Sequence, residues 1–353
     1  MWGRPRPWLH HRTDLPREEG FLNKRVLLAA PLALILAGAS RADEAVKLDP
    51  KLPKYRKVQG IRGNLSSIGS DTMNNLMTLW AEGFKKFYPG VNVQVEGKGS
   101  STAPPALVEG TAQLGPMSRD MKAEETDAIE KKYGFKPTRV RTSLDALAIY
   151  VSKDNPVQSL TLRQADAIFS RSRKSGYAED VTTWGQVGLA GAWARRPLSL
   201  YGRNSASGTY GFFKDHVLKK GDFKDTVKEQ PGSASVVEGV SGDPAGIGYS
   251  GAGYATSGVR ALPLASDERA TPVQGTYENL LNGKYPLGRY LNLYVVKEPG
   301  KPLDPLRREF IRYILSQEGQ GIVVKDGYFP LPASTVVDEL KRIDVELELS
   351  DKK

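Results

Sequence analysis

One decapeptide, Tyr201-Gly202-Arg203-Asn204-Ser205-Ala206-Ser207-Gly208-Thr209-Tyr210, joins a strand-like run at 197–201 to an apolar-periodic segment at 210–218. It sets three hydroxyls and a guanidinium in a small-residue loop at the start of a predicted helix. The first turn of a helix carries unpaired N–H donors and a partial positive charge. A tetrahedral anion is a natural occupant of such a place. Arg203 adds a planar fork that can grip two oxygens, and Ser205, Ser207 and Thr209 add hydroxyls. Taken singly, the stretch also reads as an ordinary turn with an N-cap, a common role of Ser and Thr at helix starts.

Two similar loops lie upstream. Residues 60–68 lead as a strand into Gly69-Ser70-Asp71-Thr72, after which Met73, Leu76, Met77, Trp80, Phe84 and Phe87 recur at helical spacing. Residues 91–95 alternate as a strand and enter Gly97-Lys98-Gly99-Ser100-Ser101-Thr102, with Pro104 and Pro105 suited to a first helical turn. A further strand end carries the polar tip Ser118-Arg119-Asp120. A metal needs acceptors, and a carbonyl ligand needs fewer donors than these. Three hydroxyl-rich helix starts and one arginine suit a polyatomic anion held largely dehydrated.

The elements that must position these loops alternate. An exposed helix is predicted at 123–133, strands within 138–151, and a short helix at 162–169. Strands follow at 246–249 and 291–296, and a helix at 305–316. The run Ala146-Leu147-Ala148-Ile149-Tyr150-Val151 is nearly continuous and apolar, as in a strand buried on both faces. Strands alternating with helices imply α/β units with largely parallel sheets. In such sheets ligands sit at the carboxyl ends of strands, where all three Ser/Thr loops fall.

The 353 residues suggest two domains. The net charge of +10 is spread along the chain without a basic stripe, which argues against a nucleic-acid partner and fits a mild field attracting small anions. Cysteine is absent, which excludes disulfides, thiol nucleophiles, Cys-based metal sites and a lipid-anchored N-terminal Cys. No cofactor is implied. Residues 1–20 read as an over-extended start. Lys24-Arg25, the apolar run 26–37 and the small residues before position 42 read as a secretory signal peptide, too short to span a membrane. Residues 43–57, with Pro50 and Pro53, read as a flexible lead-in.

Five segments together resemble the periplasmic phosphate-binding proteins of ABC importers, over nearly the whole of the mature chain. They are Gly69-Ser70-Asp71-Thr72-Met73, Gly97-Lys98-Gly99-Ser100-Ser101, Gly115-Pro116-Met117-Ser118-Arg119, Arg203-Asn204-Ser205-Ala206-Ser207-Gly208-Thr209, and Glu318 to Val323 with Gly327-Tyr328. The resemblance implies a two-domain periplasmic binding protein (type II-like) with two crossover strands and a ligand cleft between the domains. Domain I would take 58–143 plus 290–353, and domain II 144–289. The implied partners are inorganic phosphate and the transmembrane subunits of an ABC permease, and the implied state is a periplasmic monomer. Thr72 would give its hydroxyl, Met73 its N–H, and Ser100 both. Arg203 would be the bidentate partner, with Ser207, Gly208 and Thr209 supplying helix-start donors.

One position departs from the family pattern. Ser118 stands where well-known members carry an Asp that accepts the proton of hydrogen phosphate and repels sulfate. Ser118 can accept one hydrogen bond without that repulsion. Asp71 is the candidate substitute, its other role being a helix N-cap. Asp120 is a second candidate to turn inward, and Arg119 reads as a second cation or a surface residue, with surface or hinge pairing favoured.

The expected function is capture and delivery, with no bond made or broken. Alternatives are a binder of another oxyanion (sulfate, molybdate or arsenate), a secreted phosphatase, and an adhesin or sensor partner using phosphate only structurally. A phosphatase lacks its parts here. His216 is the one histidine beyond residue 42 and reads as a surface or packing residue, and Ser207 has no evident general base.

Overall fold

The computed structural model describes residues 46–345. The expected signal peptide and N-terminal extension lie outside the described residues.

The first stretch alternates as its periodicity requires: β1 (Gly63–Ile68), α1 (Asn74–Phe87), β2 (Val91–Glu96), α2 (Ala103–Glu109), β3 (Gly115–Met117), α3 (Ala123–Tyr133) and β4 (Thr138–Ala146). Short 3-10 turns, Asp71–Met73 and Ser100–Thr102, open α1 and α2. In α1 the apolar stripe Leu76, Met77, Trp80 and Phe84 is fully buried, and Lys85 and Lys86 sit in the last turn, where positive charge suits the helix dipole. β1 and β2 pair in parallel, and a bridge between Ser67 and Leu114 ties them towards β3.

The chain then enters β5 (Ala148–Ser152), β6 (Leu160–Thr161), α4 (Leu162–Phe169), β7 (Ser199–Arg203), α5 (Gly208–His216), β8 (Lys228–Gln230), α6 (Ser233–Ser241), β9 (Gly246–Ser250), β10 (Val259–Ala261), β11 (Leu264–Ala265) and α7 (Tyr277–Leu281). These build a five-stranded sheet of order β10-β5-β9-β7-β8, with β6 and β11 paired beside it. The chain returns through β12 (Gly288–Val295), which lies between β3 and β4, and ends in α8 (Pro305–Ile314), α9 (Gln317–Lys325) and α10 (Ala333–Arg342).

Two large hydrophobic cores result. One gathers Leu65, Trp80, Phe84 and Val140 with Leu291, Phe310, Ile314 and Val336. The buried members of the other come from residues 146 to 287, among them Ile149, Phe169, Trp184, Phe213 and Tyr249, with Phe329 packed against them. We call these lobe I and lobe II. The crossings between them lie side by side: β4 runs on into β5 past Leu147, whose N–H donates to Leu287 O at 3.1 Å, and Ala146 pairs with Gly288 at the start of β12.

Two expectations are corrected. The sheets are mixed: β1/β2, β7/β8 and β7/β9 are parallel, but β12 is antiparallel to both neighbours and β5 to β9 and β10. Returning across the hinge on a strand, rather than through a helical crossover, forces that reversal. The lead-in is also packed where it is described. From residue 46 it has no helix or strand, yet Leu52 and Tyr55 are buried in the lobe I core. Tyr55 sits edge-on to Phe87 and Tyr313, and its hydroxyl donates to Glu309 at 3.1 Å. Pro53 O accepts from Gln317 N at 2.8 Å. Apolar side chains in a polar-looking segment bought this docking, and composition alone does not show it.

Candidate anion-binding site

The three sequence loops come together between the lobes. Each is a strand end feeding a helix start: β1 into Asp71–Met73, β2 into Ser100–Thr102, and β7 into α5. Lobe I supplies the first two and lobe II the third. Ser207 is the N-cap of α5, and its Oγ accepts from the N–H groups of Thr209 (3.1 Å) and Tyr210 (3.3 Å). A capping hydroxyl that accepts in this way still has its proton to donate.

The loops touch at atomic distance. Thr72 Oγ1 lies 2.9 Å from Thr209 Oγ1 across the cleft. Ser101 N donates to Ala206 O at 3.1 Å. Two glycines permit this approach. A Cβ on Gly208 would fall 2.2 Å from Ser100 Oγ, and one on Gly99, whose φ is +116°, would fall 2.5 Å from Ala206 O. The carbonyls of the first loop are held elsewhere: Tyr254 donates to Asp71 O at 2.9 Å and Tyr328 to Thr72 O at 2.8 Å. Burial raises the pKa of both phenols, so they remain donors.

Arg203 stands at the end of β7, 2% exposed. Its Nη1 donates to Ser233 Oγ at 2.7 Å and pairs with Asp71 Oδ2 at 3.0 Å, and its Nη2 donates to Pro231 O at 3.2 Å. Its Nε is buried with no partner among the described residues. Burial draws the Arg203 pKa down and Asp71 opposes that, leaving a charged guanidinium whose Nε is unspent.

Asp71 does not cap its own helix; no side-chain cap bond forms at that helix start. Instead Oδ2 accepts from both the N–H and the hydroxyl of Ser233, each at 2.8 Å, and so caps α6 from the opposite lobe. The N-cap position of α6 itself is Gly232, which has no side chain to offer.

The remaining candidates divide. Ser100 and Ser118 are fully buried together, with Ser118 N donating to Ser100 Oγ at 3.0 Å. Both hydroxyls face Gly208. Met73 N–H is engaged with Ser70 O at 3.2 Å in the 3-10 turn, so its expected service to an anion competes with a local bond. Arg119 is corrected: it is neither at the surface nor in the hinge, but buried and bidentate to Glu125 at 2.6 and 2.7 Å. Asp120 points outward to Arg139, both side chains being exposed. His216 lies stacked on Phe212 at 3.9 Å, as a packing residue does.

The sequence reading missed Ser233, Arg289 and Asp145. Ser233 opens a helix after Pro231-Gly232, a loop-to-helix start like the other three and the signal that would have found it. Arg289 and Asp145 are a buried ion pair at 2.7 Å on the crossing strands, and only the register of those strands brings them to the site. Among the described residues no group of three His, Cys, Asp or Glu is arranged to hold a metal ion.

Two α/β lobes on adjacent crossing strands, closing donor loops over one point, define a solute-binding protein. The profile of the PBP superfamily domain matches residues 56–318. The phosphate-binding protein PstS of Pseudomonas aeruginosa is 56% identical over 316 residues, covering 90% of this chain and 98% of that one. The protein SphX of Synechococcus elongatus is 29% identical over 285 residues, covering 80% and 81%. A candidate phosphate ABC transporter substrate-binding protein from Clostridium perfringens, solved with bound phosphate, superposes with a TM-score of 0.64 at 28% identity, covering 76% of this chain and 100% of its own. The chain belongs to the PstS family of the PBP superfamily.

Proposed function

We propose that this chain captures inorganic phosphate between its lobes and delivers it to an ABC permease, as a monomer in the periplasm. The observation that carries the reading is Arg203: a buried guanidinium with an unspent Nε, held by the helix starts at Asp71 in lobe I and Ser233 in lobe II. The names of the P. aeruginosa and C. perfringens relatives support phosphate as the ligand. Those two relatives are named as binding proteins, which supports transport over hydrolysis.

The donors are Thr72, Ser100, Ser118, Arg203, Ser207, Gly208 and Thr209, with the N–H of Met73 available if its turn opens. Asp71 is the acceptor. Its carboxylate is anchored beside Arg203, so it takes the proton of hydrogen phosphate and repels an anion that has none to give. This replaces the Asp that the family places at Ser118. Domain I is assigned to 58–143 and 290–353, with the lead-in docked on its core through Leu52 and Tyr55, and domain II to 144–289. Rotation about the crossing strands opens and closes the cleft.

The test is calorimetric titration of ligand-stripped protein with phosphate and then sulfate at fixed ionic strength. Tight one-to-one phosphate binding with weak sulfate binding is the expected result. Equal binding of both would make this a general oxyanion binder, and binding of neither would return the loops to plain helix caps.

A further inference from the structure

We infer that Arg289 is a positioning residue for the anion site, acting through Thr209 to fix which way that hydroxyl points. This rests on the phosphate reading above and deepens it.

Arg289 lies on β12, the returning crossing strand, directly opposite Asp145 on β4. Its side chain is 2% exposed and that of Asp145 fully buried. The fork is spent in three directions. Nε and Nη2 both reach Asp145 Oδ2, at 2.9 and 2.7 Å. Nη1 donates to Ser118 O at 2.8 Å, in lobe I. Nη2 also donates to Thr209 Oγ1 at 3.0 Å, in lobe II. The other oxygen of Asp145, Oδ1, accepts from Ala252 N at 2.9 Å, which fixes the carboxylate that aims the guanidinium. The Phe212 ring, one turn along α5 from Thr209, lies 5.3 Å from the guanidinium carbon.

A guanidinium can only donate, and a threonine hydroxyl has one proton. Thr209 Oγ1 must therefore accept from Arg289, and its own proton is directed away from Arg289, towards the cleft where Thr72 Oγ1 approaches. With the lobes in this arrangement Arg289 thus makes Thr209 a donor towards the cleft. The ligand oxygen next to Thr209 is then met as an acceptor, and the proton of hydrogen phosphate must find its own acceptor elsewhere in the site, the role given above to Asp71. One side chain also touches both halves of the site, so Thr209 is correctly oriented only when lobe II has swung onto the hinge pair.

The test is a double-mutant cycle in phosphate affinity, run by calorimetry on wild-type protein, Arg289→Lys, Thr209→Val and the double variant. Lysine keeps the charge beside Asp145 but cannot span three partners with a point-like ammonium. Arg289→Lys and Thr209→Val should each weaken phosphate binding about tenfold, the effect of one hydrogen bond to a charged group. The double variant should bind within about twofold of Thr209→Val alone, because Arg289 acts through that hydroxyl. Wild-type affinity in Arg289→Lys, or losses that multiply in the double variant, would overturn the inference. If Arg289→Lys does not fold, Asp145→Asn with Arg289→Gln removes the pair as a unit, and the same cycle against Thr209→Val decides. Wild-type protein that takes sulfate in place of phosphate would fail the phosphate reading while leaving the cycle readable with sulfate. Wild-type protein that takes neither overturns both.

Discussion

Asp71 Oδ2 and Arg203 Nη1 lie 3.0 Å apart, one contributed by each lobe. The cation of the site is therefore balanced within the protein, and the same carboxylate oxygen caps α6. An arriving anion is held by N–H groups, hydroxyls and the remaining face of the guanidinium, not by net positive charge. Phosphate-binding sites at helix starts work on that principle, since aligned backbone donors favour negative charge without a counter-cation.

Arg203→Met keeps the volume of the side chain and removes the fork. Truncating one partner of a buried ionic contact costs about 3–5 kcal/mol. Phosphate affinity should fall by roughly a hundredfold or more. Calorimetry reads the loss, and a circular-dichroism melt should show the unloaded protein still folded. Undiminished affinity would remove Arg203 from the site.

Asp71→Asn preserves shape and one acceptor oxygen but loses the charge. Phosphate should bind about tenfold more weakly, the effect of losing one charge-assisted bond. Sulfate should bind as well as before or better, because the repulsion is gone. Parallel titrations with the two anions measure the ratio. An equal loss for both would leave Asp71 as a cap for α6 and nothing more.

Asp326 follows α9 and accepts a hydrogen bond from Asn75 on α1. Burial pushes its carboxyl pKa up to about 6, the Asn75 bond pulling only part of the way back. A carboxylic acid whose folded pKa is raised binds more protons folded than unfolded. Stability should therefore fall as pH climbs from about 4 to about 6, and stay reduced above that. Asp326→Asn should flatten this slope and stabilise the protein at pH 7.5 by about 1 kcal/mol, allowing for solvent screening of a partly exposed group. Urea melts at pH 4.5 and 7.5 on both proteins would show it. A slope unchanged by the substitution would assign the pH dependence elsewhere.

Tyr55 fills a slot among Phe84, Phe87, Tyr88 and Tyr313 and hydrogen-bonds Tyr88 and Glu309. Tyr55→Ala should destabilise the protein by about 3–5 kcal/mol, the usual cost of emptying an aromatic slot. Tyr55→Phe, which loses only the hydroxyl contacts, should cost about 1 kcal/mol. Thermal melts separate the two. Near-equal stability of all three proteins would mean that the segment before residue 58 lies loosely on lobe I.

What the sequence disclosed follows from what is local. A hydroxyl at a helix start is placed by its own strand, loop and first turn, so Thr72, Ser100, Ser207 and Thr209 were legible from spacing. Helices such as α1 and α4 were legible for the same reason, their apolar stripes being periodic. Asp71 was found as a candidate acceptor, but its cap on the other lobe was not. It caps a helix 162 residues further on, which no local pattern encodes. Arg289 and Asp145 read as polar interruptions of strands until the crossing register sets them face to face. Arg119 misled for the opposite reason: a charged tip on a strand end looks solvated, and only α3 folding back brings Glu125 to cover it.

The two cores also differ in how they use the chain. The buried members of the lobe II core all come from residues 146 to 287, one uninterrupted stretch, with Phe329 packed against them. The lobe I core is not drawn from one stretch: Tyr55 reaches Glu309 across 254 residues of sequence, and Phe84 meets Phe310 on α8. Contacts so distant must wait for the intervening chain, and closing long loops slows folding. Lobe II can therefore assemble first and bring the two crossing strands together. The N-terminal third can complete its interior only when the last three helices arrive, so the half of the anion site carrying Thr72 and Ser100 is the later to mature.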